Sequence, residues 1–198
     1  SRSRWLGDVY NRETLHQPDI HHEEVEVTMP VSVYNPEGIE TIENSKLMLV
    51  PSIKKLDAAT VTELKAGTEI TCALRSFESS SDASESEDKR ICRRDAGKRP
   101  GPVTYGLSDT DIIIDAPQKD DEVIAGLEPG VHTIIVEFPN VKPGSEITAG
   151  QKYYAWKATV KTKTPGKLST DDGEMFTMNV GWSVTGRTLN GKVTQPTQ

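Results

Sequence analysis

Along most of the chain, apolar residues recur at every second position, the spacing of a strand with one face in a core and one in solvent. The pattern is plainest near the end, where Phe176, Met178, Val180, Trp182 and Val184 share one face and Thr177, Asn179, Ser183 and Thr185 the other. The run YYAWKATV places Tyr154, Trp156, Ala158 and Val160 together. TEITCALRSF does the same for Ile70, Cys72 and Leu74, which predicts a strand with Cys72 as a small buried residue. Apolar runs at residues 46–53 and 131–139 predict two further strands, and PVTYGLSDTDIIIDA predicts a long strand or hairpin. EVEVTMPVSV, from Glu24, predicts an extended edge interrupted at Pro30. Asn35-Pro36-Glu37-Gly38 and the Pro143-Gly144 and Ala149-Gly150 pairs mark turns.

Helical signals are few and short. Thr60 and Glu63 have the spacing of a capping box, with Gly67 as the stop, so residues 60–66 predict a helix of about two turns. A second is predicted at residues 120–127, ended by Pro129-Gly130. A dominant period of two with one or two short flanking helices predicts a mainly β protein, an antiparallel sandwich or barrel.

Two segments lack either period. Residues 1–22 form an irregular arm, and residues 1–45 together make an arm and extended segment ahead of a β domain at 46–198. Residues 78–100, ESSSDASESEDKRICRRDAGKRP, are rich in Ser and charge and nearly free of apolar side chains. Such a stretch buries too little to offset its ordering entropy, which predicts a long, mobile, charged loop. Its charges are segregated: Glu78, Asp82, Glu85, Glu87 and Asp88 precede Lys89, Arg90, Arg93 and Arg94.

The formal net charge of -7 excludes a protein that wraps nucleic acid by neutralising phosphates. No apolar run is long enough to span a bilayer, and SRSRWLGDVYNRE lacks the apolar stretch of a secretion signal, so synthesis and use in a cytoplasm are expected. Two cysteines, Cys72 and Cys92, are too few for a disulfide scaffold or a zinc site and are expected as thiols.

Candidate chemistry is sparse. Adjacent residues in His21-His22-Glu23-Glu24 do not converge easily on one ion, and His16 and His132 stand alone. Asp109, Asp111 and Asp115, and the group Asp120, Asp121 and Glu122, lack the spacing of a calcium loop. There is no nucleophile elbow, phosphate loop or dinucleotide fingerprint. The expectation is a non-enzyme without cofactor or metal. Trp156 and Trp182 lie on apolar strand faces and belong in a core, whereas Trp5, next to Leu6, is a large aromatic in a polar arm and a candidate anchor on another molecule.

AATVTELKAGTEITCA (residues 58–73), the charged segment with Cys92, GPVTYGLSDTDIIID, DDEVIAGLEPGVHTIIVEF and MFTMNVGWSVTGRTLNGKV resemble, in order and spacing, the major tail tube proteins of long-tailed, non-contractile phages (siphophages) of actinobacteria. The resemblance spans residues 46–193 and leaves residues 1–45 outside. It implies a structural virion protein, built in the host bacterial cytoplasm, that forms rings of six. The rings stack into a tube for genome ejection. Implied partners are further copies, the tail tip or initiation and terminator proteins and the tape measure protein, with DNA passing through the lumen unbound and no membrane contact. In such a tube Trp5, Leu6, Lys89, Arg90, Arg93 and Arg94 are the candidate contacts between copies. Two other readings compete. A monomeric adhesive or carbohydrate-binding β-sandwich needs a face of exposed aromatics, for which Tyr105 and Tyr153 are the spares; an enzyme with a cryptic site has no constellation to name.

Overall fold

The computed structural model describes residues 36–89, 91–92, 97–114, 122–168 and 174–196. The extended edge expected at Glu24, the histidine pair, Trp5, Leu6, Arg90, Arg93, Arg94, Asp115, Asp120 and Asp121 lie outside these residues. The chain divides into units at Ser1–Glu37 and Gly38–Gln198, and the fold below is that of the second.

Its elements are β1 (Ser45–Val50), α1 (Val61–Lys65), β2 (Thr68–Glu69), β3 (Ser79–Asp88), β4 (Gly97–Leu107), β5 (Thr110–Ile113), α2 (Glu122–Ala125), β6 (His132–Pro139), β7 (Lys152–Pro165) and β8 (Thr177–Lys192). Six strands form one antiparallel sheet in the order β2-β1-β6-β7-β8-β5, curled into a half-barrel, while β3 and β4 form a separate hairpin. A single bridge between Leu74 and Ile112 links the segment after β2 to the far edge strand, β5.

The central strands are buried on both faces. Leu47, Leu49, Ile135, Trp156, Ala158, Val160, Val180 and Trp182 pack inside the curl, with Phe77 edge-on to Trp156 at 5.3 Å. Met48, Val50, Ile134, Val136, Phe138, Tyr153 and Ala155 pack on the outside beneath Ala59 and Leu64 of the α1 region and Val193 of the chain's end. Two-sided burial explains why residues 47–50 and 134–136 are continuous apolar runs rather than alternating ones. The Trp182 indole donates to Thr110 Oγ1 at 2.9 Å, so this core aromatic leaves no orphan N–H.

Helix α1 begins as the sequence predicts. Thr60 is its N-cap: its hydroxyl accepts from the Glu63 N–H, and the Glu63 carboxylate accepts from the Thr60 N–H at 2.8 Å. Ala66 is the C-cap and Gly67 follows it directly, where the sequence expected the stop. A Cβ at Gly67 would lie 2.7 Å from the Leu49 carbonyl, so glycine is needed for the chain to pass close to β1.

Three expectations are corrected. Residues 68–77 do not form one strand: β2 stops at Glu69 and a 3-10 turn covers Thr71–Ala73. The Ile70 N–H still donates to the Leu47 carbonyl at 2.9 Å, but the Leu47 N–H is taken by the Thr71 hydroxyl at 2.8 Å, a side-chain bond where a continuing strand would offer a carbonyl. Cys72 is therefore exposed, not buried. Phe176 precedes β8 and is 58% exposed.

Residues 78–100 form a hairpin instead of a loop, as Ser79–Asp88 pairs with Gly97–Leu107. Its backbone groups bond across the ladder, so the absence of an apolar face does not leave them unpaired. Glycine at 101 and 106 lets the strands close where Ser84 and Ser80 sit opposite; a Cβ at either would collide with the serine hydroxyl. Two residues of the acidic half pair across the hairpin with cations that follow the basic cluster: Lys98 with Glu85 at 2.6 Å and Arg99 with Asp88 at 2.7 Å. Each exposed pair adds no more than about 1 kcal/mol, so they support a register that the ladder sets.

Candidate assembly surface

The hairpin is a ribbon with little of its own to bury. All of β3 from Ser79 to Glu87 is exposed, and a two-stranded ribbon is marginal in water without something to pack on. Among the described residues the anchor is at the base. Leu107 is buried in the core, and the Arg187 guanidinium of β8 lies over the Tyr105 ring at 4.1 Å. Beyond the base, no strand among the described residues pairs with the outer side of β3, a ten-residue strand. Acidic and serine side chains on such an edge discourage indiscriminate pairing and leave it to a matched partner.

Of the sequence-predicted contacts, Lys89 is described, pairing with Glu87 at 2.8 Å with both side chains well exposed. Ile91 and Cys92 next to it in the turn are exposed as well.

A second surface lies at the end of the curled sheet away from this turn. An open groove of about 940 Å³ is lined by Cys72, Ala73, Ile113, Ile114, Met175 and Phe176. It shares Cys72 and Pro143 with a neighbouring groove of about 570 Å³ beside Ile42, Leu74 and Phe77. Met175, Phe176 and Ile42 are all more than half exposed, a contiguous apolar area of the kind that marks an interaction site. Sequence reasoning missed it because Ile113, Ile114 and Phe176 read as strand core; the signal was Met175, an apolar residue that breaks the alternation beginning at Phe176.

Carboxylates surround this apolar area. Burial pushes the Glu137 carboxyl up, and no ion pair to it occurs among the described residues. Glu69 is held down: burial opposes its charge, but the Lys46 ammonium at 2.9 Å, the Gly144 N–H and the Thr71 hydroxyl outweigh it. Lys46 is itself buried and also donates to the Ser145 carbonyl at 2.6 Å, so this network pins the loop after β6 to β1. A carboxyl with a lowered value contributes stability that is present above the ordinary range near 4.3 and lost as the pH falls through the folded value. Glu69→Gln is therefore expected to lower stability at pH 7, with the difference from the natural protein narrowing in acid. Urea midpoints at pH 7, 4.5 and 3 measure it; a constant difference across that range would contradict the assignment.

None of the described geometry suits catalysis. Asp111 accepts from Asn179 Nδ2 at 3.0 Å, and His132 Nδ1 contacts Thr159 Oγ1 at 2.8 Å, both ordinary cross-strand contacts. Among the described residues no three His, Cys, Asp or Glu side chains are placed to hold a metal, and no helix is long and apolar enough to cross a membrane. Tyr153, one of the two spare aromatics for a sugar-binding face, is fully buried, and Tyr105 is covered by Arg187. A stacking platform needs exposed rings, which these two residues do not provide.

Residues 35–197 match the model of the phage tail tube protein family. The chain belongs to that family. It is thus a structural component of a phage tail, and the assembly features above are the relevant ones. No curated protein matches the chain. A solved structure titled as the cryo-EM, six-fold symmetrised baseplate of the anti-feeding prophage contains a similar chain at 8% identity and a TM-score of 0.48, covering 80% of this tail tube protein and 98% of the other chain.

Proposed function

We propose that copies of this chain close into rings of six and that the rings stack into the tail tube, a conduit for the genome. The observation that carries the reading is the tail tube family match across residues 35–197, in a chain whose long hairpin has an edge that no strand among the described residues pairs with. Ring closure covers strand edges that a lone half-barrel leaves open. The net charge of -7 per copy, repeated around a ring, keeps the assembly acidic, and a bore with that character repels phosphate and lets DNA slide. Tail tip or initiation proteins, the tape measure protein and a terminator are the partners such a tube requires, with assembly in the host cytoplasm.

The arm at residues 1–23, with Trp5 and Leu6 as its anchors, belongs to this scheme as a clasp between copies. Sedimentation and negative-stain imaging of the full chain at high concentration are expected to show rings or tubes. A chain lacking residues 1–23 is expected to keep its melting temperature yet give short tubes or none. If the natural chain stays monomeric even with its tail initiation complex, the tube reading fails; if truncation unfolds the monomer, the arm is part of the fold.

A further inference from the structure

We propose that the smaller groove, between the segment ahead of β1 and the turn after β2, is a docking site for a cationic segment of another polypeptide. The segment presents an arginine or lysine flanked by aliphatic side chains, and Glu137 receives the charge. Three observations support it.

The first is the place of Glu137 in β6. That strand is buried from Thr133 to Val136 and again at Phe138, and Glu137 interrupts the run. It lies opposite Leu47 of β1 and Tyr154 of β7, on the face that Leu47, Ile135 and Trp156 line inside the curl. Strand packing alone calls for an apolar side chain at such a position.

The second is charge. The groove's one cation among the described residues, Arg75, is held by both carboxylate oxygens of Glu174 at 3.0 and 3.2 Å. Glu43 on the rim has the same sign as Glu137, and Cys72 and the cross-strand Tyr154 bring no positive charge. Burial raises the Glu137 carboxyl, and among the described residues no cation or N–H opposes it. A raised carboxyl weakens the fold where it is ionised: the penalty is absent below the ordinary range near 4.3 and complete above the folded value. A side chain that weakens its own fold at neutral pH, and that an incoming cation relieves, belongs to an interface.

The third is shape. The groove, about 570 Å³, is within the range of sites that hold a small ligand. Leu47, Leu74 and Phe77 wall it, and Ile42 is exposed at its rim. Apolar walls beside an uncompensated carboxylate fit an arginine or lysine, whose methylenes pack while the head pairs. The rim is set in advance: Glu43 is held at a φ of 60°, and the Asn44 side chain donates to the Glu40 and Ile42 carbonyls at 3.0 and 3.2 Å.

The full chain, at a concentration where it is monomeric, is titrated with acetyl-Leu-Arg-Leu-amide. A second peptide carries citrulline, which keeps the shape of arginine without its charge. Backbone amide signals in NMR locate the binding. The arginine peptide is expected to shift the signals of Ile42, Leu74 and Glu137 and to bind about tenfold or more tightly than the citrulline peptide. Glu137→Gln is expected to abolish that preference and to raise the melting temperature at pH 7 by a few degrees. A merely structural Glu137 predicts the opposite sign. Equal binding of the two peptides, no shift at these residues, or a lowered melting temperature in Glu137→Gln would overturn the docking site. If concentrating the chain without peptide shifts the same signals and Glu137→Gln prevents it, the occupant is a second copy and docking of a different polypeptide is overturned. The tail tube reading stands apart from all of these outcomes, since the family match carries it.

Discussion

Replacing Tyr153 with alanine is expected to destabilise the monomer by about 3–5 kcal/mol, a cost typical of removing a large buried aromatic. Tyr153 is fully buried on the outer face of the sheet, 5.8 Å from the Phe138 ring. Its ring fills the space over Gly191, where even one added carbon would strike it. Its hydroxyl accepts from the Ala59 N–H and donates to the Leu56 carbonyl, both at 2.8 Å, tying β7 to the segment that leads into α1. Burial pushes the phenol up, so it stays protonated and able to donate throughout the usual range. Tyr153→Phe keeps the ring but orphans those two backbone groups, for a cost of about 1–3 kcal/mol. Urea denaturation of the two variants separates the contributions. Equal losses would mean that the hydroxyl matters and the ring does not, which contradicts the packing described.

The largest expected effect on assembly comes from reversing Lys89, Arg90, Arg93 and Arg94 to acids. Among the described residues of the hairpin, Glu85 and Asp88 pair with Lys98 and Arg99, and the Lys89–Glu87 pair is exposed and worth little. Folding therefore has small need of the four cations, and the melting temperature is expected to stay nearly unchanged. On the proposed assembly the same cations face carboxylates of a neighbouring copy, where repetition around a ring and partial desolvation make them count. Tube yield is expected to fall to background at low salt. Normal tubes from the reversed chain would return the turn to the status of a solvated loop.

Particular residues show why some of this was legible in the sequence. The faces of β7 and β8 follow directly from alternation at Trp156, Ala158, Val160, Val180 and Trp182, because a half-buried strand imposes period two on its side chains. The α1 start follows from Thr60 and Glu63, whose capping bonds are local in sequence. The failures share the opposite property. Thr71 bonds to Leu47, 24 positions away, and no local pattern announces that a hydroxyl will end a strand there. The β3–β4 hairpin escaped because its stability is in backbone pairing and in an anchor on Arg187, while the sequence shows only serine and charge. Trp5 and Leu6 were singled out from composition, and their place rests on the truncation experiment. The groove around Cys72 depends on residues from several separate stretches of chain, so it exists only once the sheet has curled.

The line formed by β5 and β4 alongside β8 has a mechanical consequence. A pull on the hairpin's turn acts along the strands, so the cross-strand hydrogen bonds at its base share the load in shear instead of breaking one after another as in a peeled zipper. The long pairing of β8 with β7 spreads that load into the sheet, and the Leu107 side chain keys the hairpin into the core at the point where tension enters. A molecule organised in this way is stiff along one axis and compliant across it, the property that separates a girder from a bead.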